Sequence, residues 1–343
     1  MKNLIKNLNK EKTEYPSIWM MRQAGRYLPE YREIRANADN FLGLCYNPKL
    51  ASEITLQPIR RFGFDGAIIF SDILVIPDAL GIKVEFLKNE GPKLETVSNE
   101  KDLLKLNPQN LDRLNPVFET IALTKSKLNT NTALIGFSGS PWTIASYIIE
   151  GGGSKTFEKV RSIAIRDEQF FAKLIDILVE SIILYLSKQI EAGAEVIKLF
   201  DSWAGVLPEG QYHKWVLEPN RRIINVLKDK FPQIPVILFA RGSGLMYEDL
   251  VMEVKADCFA IDQNITRKWA KDILQKKHNA VIQGNLDNVL LANGSLEMLE
   301  KEVKEILDNF GDNPFIFNLG HGVLPHTKIE NVQKVIDLVR SIR

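Results

Sequence analysis

Four arginines, Arg22, Arg26, Arg32 and Arg35, fall within fourteen residues and are interleaved with Tyr27 and Tyr31. A guanidinium is a permanently charged planar fork whose donors match a carboxylate, so several in one loop can grip several carboxylates at once. The plainer reading is a solvated helical face with Glu30 and Glu33 as local ion-pair partners. That reading suits Arg32, whereas Arg22 and Arg26, beside a strand end and Gly25, read as anion-binding. Asp72 closes the apolar run AIIFSD and is followed by ILVIP. Burial there penalises its charge unless donors are supplied, so Asp72 is either a cap for the next turn or an anion kept for a ligand. His321 lies between the glycines of NLGHG, which permit close backbone approach to a ligand; a structural hydrogen-bonder and a site residue both remain open. Tyr147 sits in PWTIASYIIEGGGS just before three glycines at 151–153, a hinge or a helix terminus.

The elements that must position these groups are read from hydrophobic periodicity. Eight short runs recur: PSIWMM (16–21), GAIIFS (66–71), ALIGFS (133–138), EVIKLF (195–200), PVILFA (235–240), CFAI (258–261), AVIQG (280–284) and FIFNLG (315–320). They are nearly continuous in apolar residues, as parallel strands buried on both faces are, and longer helical patterns separate them. Residues 157–192 are long enough for two helices, with a break expected near Arg166-Asp167. Eight alternating units predict an α/β fold, a single (β/α)₈ TIM barrel occupying residues 1–343 as one domain. The stretch 72–132 exceeds one helix, and ALGIKVEFLKNEG (79–91) alternates like a hairpin inserted after strand two. Barrel enzymes draw their chemistry from the C-terminal strand ends. One step past each run lie Arg22, Asp72, Ser138 to Trp142, Asp201 with Ser202, Arg241, Asp262, Asn285 with Asp287, and His321. Polar groups from nearly every strand therefore face one rim.

Other chemistries lack their signatures. H-E-x-x-H, C-x-x-C, the P-loop and the G-x-S-x-G elbow are all missing, and the triple glycine has no dinucleotide-binding context. The remaining histidines, His213, His278 and His326, lack ligand spacing, so no metal is expected. A net charge of +1 advertises neither nucleic acid nor membrane, and an anionic partner must be held by local arginines. Cys45 and Cys258 are the only cysteines, which suits a reducing compartment. No signal peptide or bilayer-length apolar run is read, so a soluble cytoplasmic protein is expected.

MRQAGRYLPEYRE (21–33) resembles the N-terminal signature of the uroporphyrinogen decarboxylases, and PWTIASYIIEGGGSK (141–155) resembles their second one. The similarity continues through FSDILVIPDALG (70–81), LFDSWAG (199–205), QGNLD (283–287) and NLGHG (318–322), in order and over essentially the whole chain. The resemblance implies a (β/α)₈ homodimer without metal or organic cofactor. Its activity would remove the four acetate carboxylates of uroporphyrinogen III to give coproporphyrinogen III. The implied substrate-binding set is Arg22, Gln23, Ala24, Gly25, Arg26, Arg35, Asp72, Tyr147, Ser202 and His321. Asp72, Arg22 and Tyr147 are the expected catalytic residues, with Asp72 against the pyrrole N–H groups. An eight-carboxylate substrate suits an arginine-rich mouth, and a substrate that serves as its own electron sink needs no cofactor. The proton donor is open between an arginine perturbed by burial beside other cations, Tyr147, His321 and a bound water. Two rival readings are a zinc-dependent methyltransferase of the same superfamily and a non-catalytic tetrapyrrole carrier.

Overall fold

The structure, a computed structural model, describes residues 1–341 except 39, 88–90 and 111. Each of the eight apolar runs contains a strand. They are β1 (Ser17–Ile18), β2 (Gly66–Ile68), β5 (Ala133–Gly139), β6 (Val196–Asp201), β7 (Val236–Ala240), β8 (Cys258–Ala260), β9 (Val281–Leu286) and β10 (Phe315–Leu319). The remaining two, β3 (Val84–Leu87) and β4 (Gly91–Leu94), form an antiparallel hairpin between β2 and β5. Parallel ladders join the eight in the order β1-β10-β9-β8-β7-β6-β5-β2. Every residue of β5, β6, β7, β9 and β10 is buried, which is why these strands read as continuous hydrophobic runs.

The barrel closes between β1 and β2 through side chains as well as backbone. Ile18 N–H donates to Asp65 Oδ2 at 2.9 Å, and Asp65 N–H donates to the Ile18 carbonyl at 2.9 Å. Gln23 Nε2 donates to the Gly66 carbonyl at 3.0 Å. The first strand is shorter than its run because the backbone after Trp19 turns to side-chain partners. Met20 N–H goes to Gln23 Oε1 and Met21 N–H to Asn318 Oδ1, each at 3.1 Å.

Helices cover the outside. The expected break in 157–192 falls between Glu158–Arg166 and Glu168–Glu191, where the Asp167 carboxylate accepts from Phe170 N–H at 3.1 Å and caps the longer helix. The long segment after β2 resolves into a helix Val75–Ala79, the hairpin, a short helix Glu100–Leu103, a 3-10 turn Asp112–Leu114 and a helix Asn115–Lys127. The hairpin sits later than its alternation suggested, because Ala79 belongs to the buried helix and the second strand runs on to Leu94. Its turn, 88–90, lies outside the described residues. The glycine triplet is a helix terminus docked on this hairpin: Gly151, at φ 79°, ends the helix Pro141–Glu150, and Leu94 N–H donates to its carbonyl at 3.0 Å. A Cβ on Gly152 would stand 2.7 Å from the Pro92 carbonyl oxygen, so only glycine lets the two chains meet.

Inside the barrel, side chains stack in layers. At the N-terminal end Leu4 plugs the opening against Gly66 and Trp19. Above it Trp19 Nε1 donates to Gln283 Oε1 at 3.0 Å. Lys198 lies in the same region, fully buried, with its ammonium 5.0 Å from the Trp19 ring and 5.1 and 5.5 Å from those of Phe200 and Phe239. Phe137, Phe200 and Phe239, from three adjacent strands, meet edge to face at 5.6 and 6.3 Å and form an aromatic layer.

Candidate active site

Arg22 begins the site because its backbone is unusual. It is a non-glycine residue at φ 62°, a left-handed conformation that persists only when the surroundings hold it. Three neighbours do so. Met21 N–H is bound by Asn318 Oδ1, the Met21 carbonyl accepts from Val323 N–H at 2.9 Å, and Gly322 leaves the Arg22 side chain room that a Cβ would take away. Both ends of this clamp come from the segment that carries His321. The resulting guanidinium is exposed at the mouth, and its field acts on Asp72, Tyr147 and His321 alike.

Asp72 follows β2 across the closure seam. Its carboxylate caps its own turn, accepting from Leu74 N–H at 2.9 Å. The cap and the site readings thus coexist: one oxygen takes that N–H, and no other donor to the carboxylate is found among the described residues. Burial pushes its pKa up from 3.8 to about 6, against the opposing pull of the Leu74 N–H and of Arg22. Tyr147 stands on the helix Pro141–Glu150 with its ring 6.2 Å from that of Trp203. Burial first, and the Asp72 charge second, push its phenol up, so it stays protonated across the physiological range. His321, after β10, is driven down from 6.5 to about 4 by burial and then by the charges of Arg22 and Arg241. Its imidazole is therefore neutral near pH 7. Ser202 is partly exposed at the end of β6, next to Asp201.

The other arginine-loop residues divide by role. Gln23 is fully buried and its amide closes the barrel, so it supports the loop instead of facing the mouth. Ala24 and Gly25 complete the turn, in which Leu28 N–H donates to the Gly25 carbonyl at 3.0 Å. Arg32 folds back onto the carbonyls of Arg26 and Tyr27 at 2.8 and 3.2 Å and braces the loop. Glu30 pairs with Arg61 at 2.8 Å and not with a loop arginine, which leaves Arg26 exposed and without a carboxylate among the described residues. Arg35 reaches the Ala38 carbonyl at 3.3 Å, and its field is felt by Tyr31 and Cys45, the latter also within the field of Asp72. Tyr31, Phe70, Phe41 and Phe86 stack in a chain with centroids 4.8 to 5.9 Å apart, locking the arginine helix Pro29–Ala36 to the hairpin.

Arg22, Asp72, Tyr147 and His321 thus come together on one rim, from segments far apart in sequence. Matched against known families, residues 1–342 fit the uroporphyrinogen decarboxylase model. The chain belongs to the uroporphyrinogen decarboxylase family. Curated uroporphyrinogen decarboxylases from Rhodospirillum rubrum and Paracoccus denitrificans are 48% and 46% identical to it, covering 100% and 99% of this chain and 98% and 99% of theirs. Among solved structures, a methyltransferase from Methanosarcina mazei superposes with a TM-score of 0.76 at 18% identity, over 98% of this chain and 97% of that one. That likeness speaks for the barrel alone. Among the described residues no three His, Cys, Asp or Glu side chains gather as a metal-binding group. Cys45 and Cys258 are both buried and unbridged; the first lies in the field of Asp72 and the second in that of Lys198.

Two charged groups stand out beyond the set named from sequence. Arg241 is visible in the census of strand ends but belongs to no signature stretch. Lys198 had a plain signal, a lysine inside a strand buried on both faces, and the run EVIKLF was read for its apolar residues only.

Proposed function

We propose that this rim decarboxylates the acetate side chains of uroporphyrinogen, with Asp72, Arg22 and Tyr147 as catalytic residues. The observation that carries the reading is family membership over residues 1–342. Each turnover replaces a side-chain carboxylate by a proton: the C–C bond to the carboxylate breaks, carbon dioxide leaves, and the methylene carbon becomes a methyl. Protonating the adjacent pyrrole carbon first supplies a cationic ring that accepts the electron pair of the breaking bond; the exocyclic methylene left behind then takes up a proton to become the methyl while the ring carbon gives its proton back.

Asp72 fits the anionic partner of that cation. Its pKa of about 6 leaves it mostly ionised at pH 7, and pyrrole N–H donors or ring charge beside it lower that value further. Arg22, Arg26 and Arg35 are assigned to substrate carboxylates, with the backbone of Gln23, Ala24 and Gly25 lining the same turn. Tyr147, Ser202 and His321 are assigned polar contacts. A neutral His321 is a hydrogen-bond partner and a poor acid, because its imidazolium is lost above about pH 4. That leaves Tyr147 or water held by it to deliver the proton. The reading also includes one barrel domain, action as a homodimer, a cytoplasmic setting and no cofactor. Two buried unbridged thiols support the compartment, and no described helix is long and apolar enough to cross a membrane.

The test is anaerobic incubation with chemically reduced uroporphyrin and chromatographic counting of product carboxylates. Conversion from eight carboxylates to four is expected, and Asp72→Ala should abolish it while the far-ultraviolet circular dichroism stays unchanged. Tight binding without release of carbon dioxide would favour a carrier instead. Sedimentation velocity checks the dimer.

A further inference from the structure

Arg241 extends from the end of β7, on the far side of the barrel from β1. Its backbone is held rigidly. Arg241 N–H donates to the Asp201 carbonyl, and the Arg241 carbonyl accepts from Gly205 N–H, both at 3.0 Å. Gly242 next to it packs against Gly205 so closely that a Cβ on Gly242 would lie 3.3 Å from the Gly205 Cα. The carboxylates that flank this strand end are turned to other partners. Asp201 accepts from Thr143 Oγ1 at 2.6 Å and Asn220 Nδ2 at 3.2 Å on the outer face. Asp262 accepts from the backbone N–H groups of Gly242 and Asn264 at 2.7 and 2.9 Å. No hydrogen bond or ion pair to the Arg241 guanidinium is found among the described residues, and the side chain is only partly exposed. Yet its charge acts on His321, as that of Arg22 does. The two cations repel each other there and add to the burial that keeps the imidazole neutral. An anion placed there relieves the repulsion, accepts from both forks and takes a further hydrogen bond from the ring N–H.

We infer that Arg241 is a substrate-binding residue and that, with Arg22 and His321, it forms a carboxylate subsite at the mouth. The inference rests on the uroporphyrinogen reading for the identity of the carboxylate, and on the fixed strand end and its unpartnered guanidinium for the subsite. An eight-carboxylate macrocycle held only by the loop 22–35 would be anchored along one edge. Arg241 supplies the opposite anchor, so that the pyrrole facing Asp72 is fixed in rotation as well as position.

The variants Arg241→Gln and Arg241→Lys test this. Charge-assisted hydrogen bonds of this kind correspond to losses of about ten- to a hundredfold when one partner is removed. In Arg241→Gln the KM for reduced uroporphyrin should rise at least about tenfold with kcat falling less, and Arg241→Lys should recover part of the loss. Carbon-13 labelling of the histidine ring gives a readout independent of turnover. The His321 titration should move upward in Arg241→Gln and stay near its wild-type position in Arg241→Lys. An unchanged KM in an active Arg241→Gln enzyme, or a His321 titration that does not move, overturns the subsite. A wild-type enzyme inert toward reduced uroporphyrin would instead overturn the substrate, while the titration would still judge the cation pair.

Discussion

Asp72 makes a trade between stability and activity measurable. Its carboxyl is raised by burial from 3.8 to about 6, so between those values the native state binds a proton that the unfolded chain does not. Stability attributable to this residue is therefore highest below about pH 4 and falls as pH rises through about 6, where the native carboxylate must ionise. The difference corresponds to about 3 kcal/mol at pH 7.5 as an upper limit. Because the residue is partly exposed at an open mouth, water screens it and about half of that is expected. Asp72→Asn keeps the acceptor oxygen for Leu74 N–H and removes the charge. Equilibrium urea unfolding should then show the variant more stable by roughly 1 to 2 kcal/mol at pH 7.5, with the gap closing to well below 1 kcal/mol near pH 4. The same protein should be inactive in the carboxylate-counting assay. An Asn variant that is less stable at pH 7.5, or a gap that does not depend on pH, would refute the claim that an uncompensated carboxylate is stored in this site.

The acid limb of kcat/KM should fall with an apparent pKa near 6, since Asp72 must be ionised, and His321→Asn should leave that limb in place while raising KM. Gly322→Ala should lower kcat/KM by about tenfold or more without changing the circular dichroism, because the added methyl displaces the Arg22 side chain and not the barrel. Lys198 is driven by burial from 10.5 to about 7, so the unfolded chain binds its proton more readily and wild-type stability should rise between pH 7 and 10. In Lys198→Met that rise should be smaller by up to about 1.4 kcal/mol per pH unit, read from urea midpoints at pH 7 and 9. Equal slopes would show that Lys198 keeps its charge in the folded state with an ordinary pKa.

The barrel was legible because its strands are buried on both faces, and burial on both faces leaves a local mark in runs such as VIKLFD and FIFNL. The Asp167 break was equally local, a carboxylate one residue before a helical pattern. What did not show were relations between distant segments. Gln23 stands in a signature stretch, and only the barrel's closure reveals that its amide serves Gly66 forty-three residues away. Arg32 and Arg22 are alike in type and neighbourhood, yet one braces carbonyls while the other is held left-handed by Asn318 and Gly322 from the far end of the chain. The hairpin's position was misjudged by a few residues because alternation cannot distinguish a short buried helix, Val75–Ala79, from the start of a strand.

The distribution of charge on the rim bears on the step left open by residue type alone. Arg22 and Arg241 are cations whose charges act on a neutral His321, and Asp72 is a buried rim carboxylate with a single hydrogen-bond donor among the described residues. Such a field orients an anionic ring with its carboxylates toward the arginines and its nitrogens toward Asp72. It also opposes protonation of any group on the arginine side, which rules against His321 as the acid, while Asp72 lowers the cost of positive charge on its own side. On the proposed reading the proton reaches the pyrrole carbon from the Asp72 side, where Tyr147 stands with its phenol held protonated by burial and by the same carboxylate. Tyr147→Phe is then expected to lower kcat by about a hundredfold with little effect on KM, and to leave the acid limb near pH 6 unmoved. A rise in KM alone would reduce Tyr147 to a wall of the site and pass the proton to water.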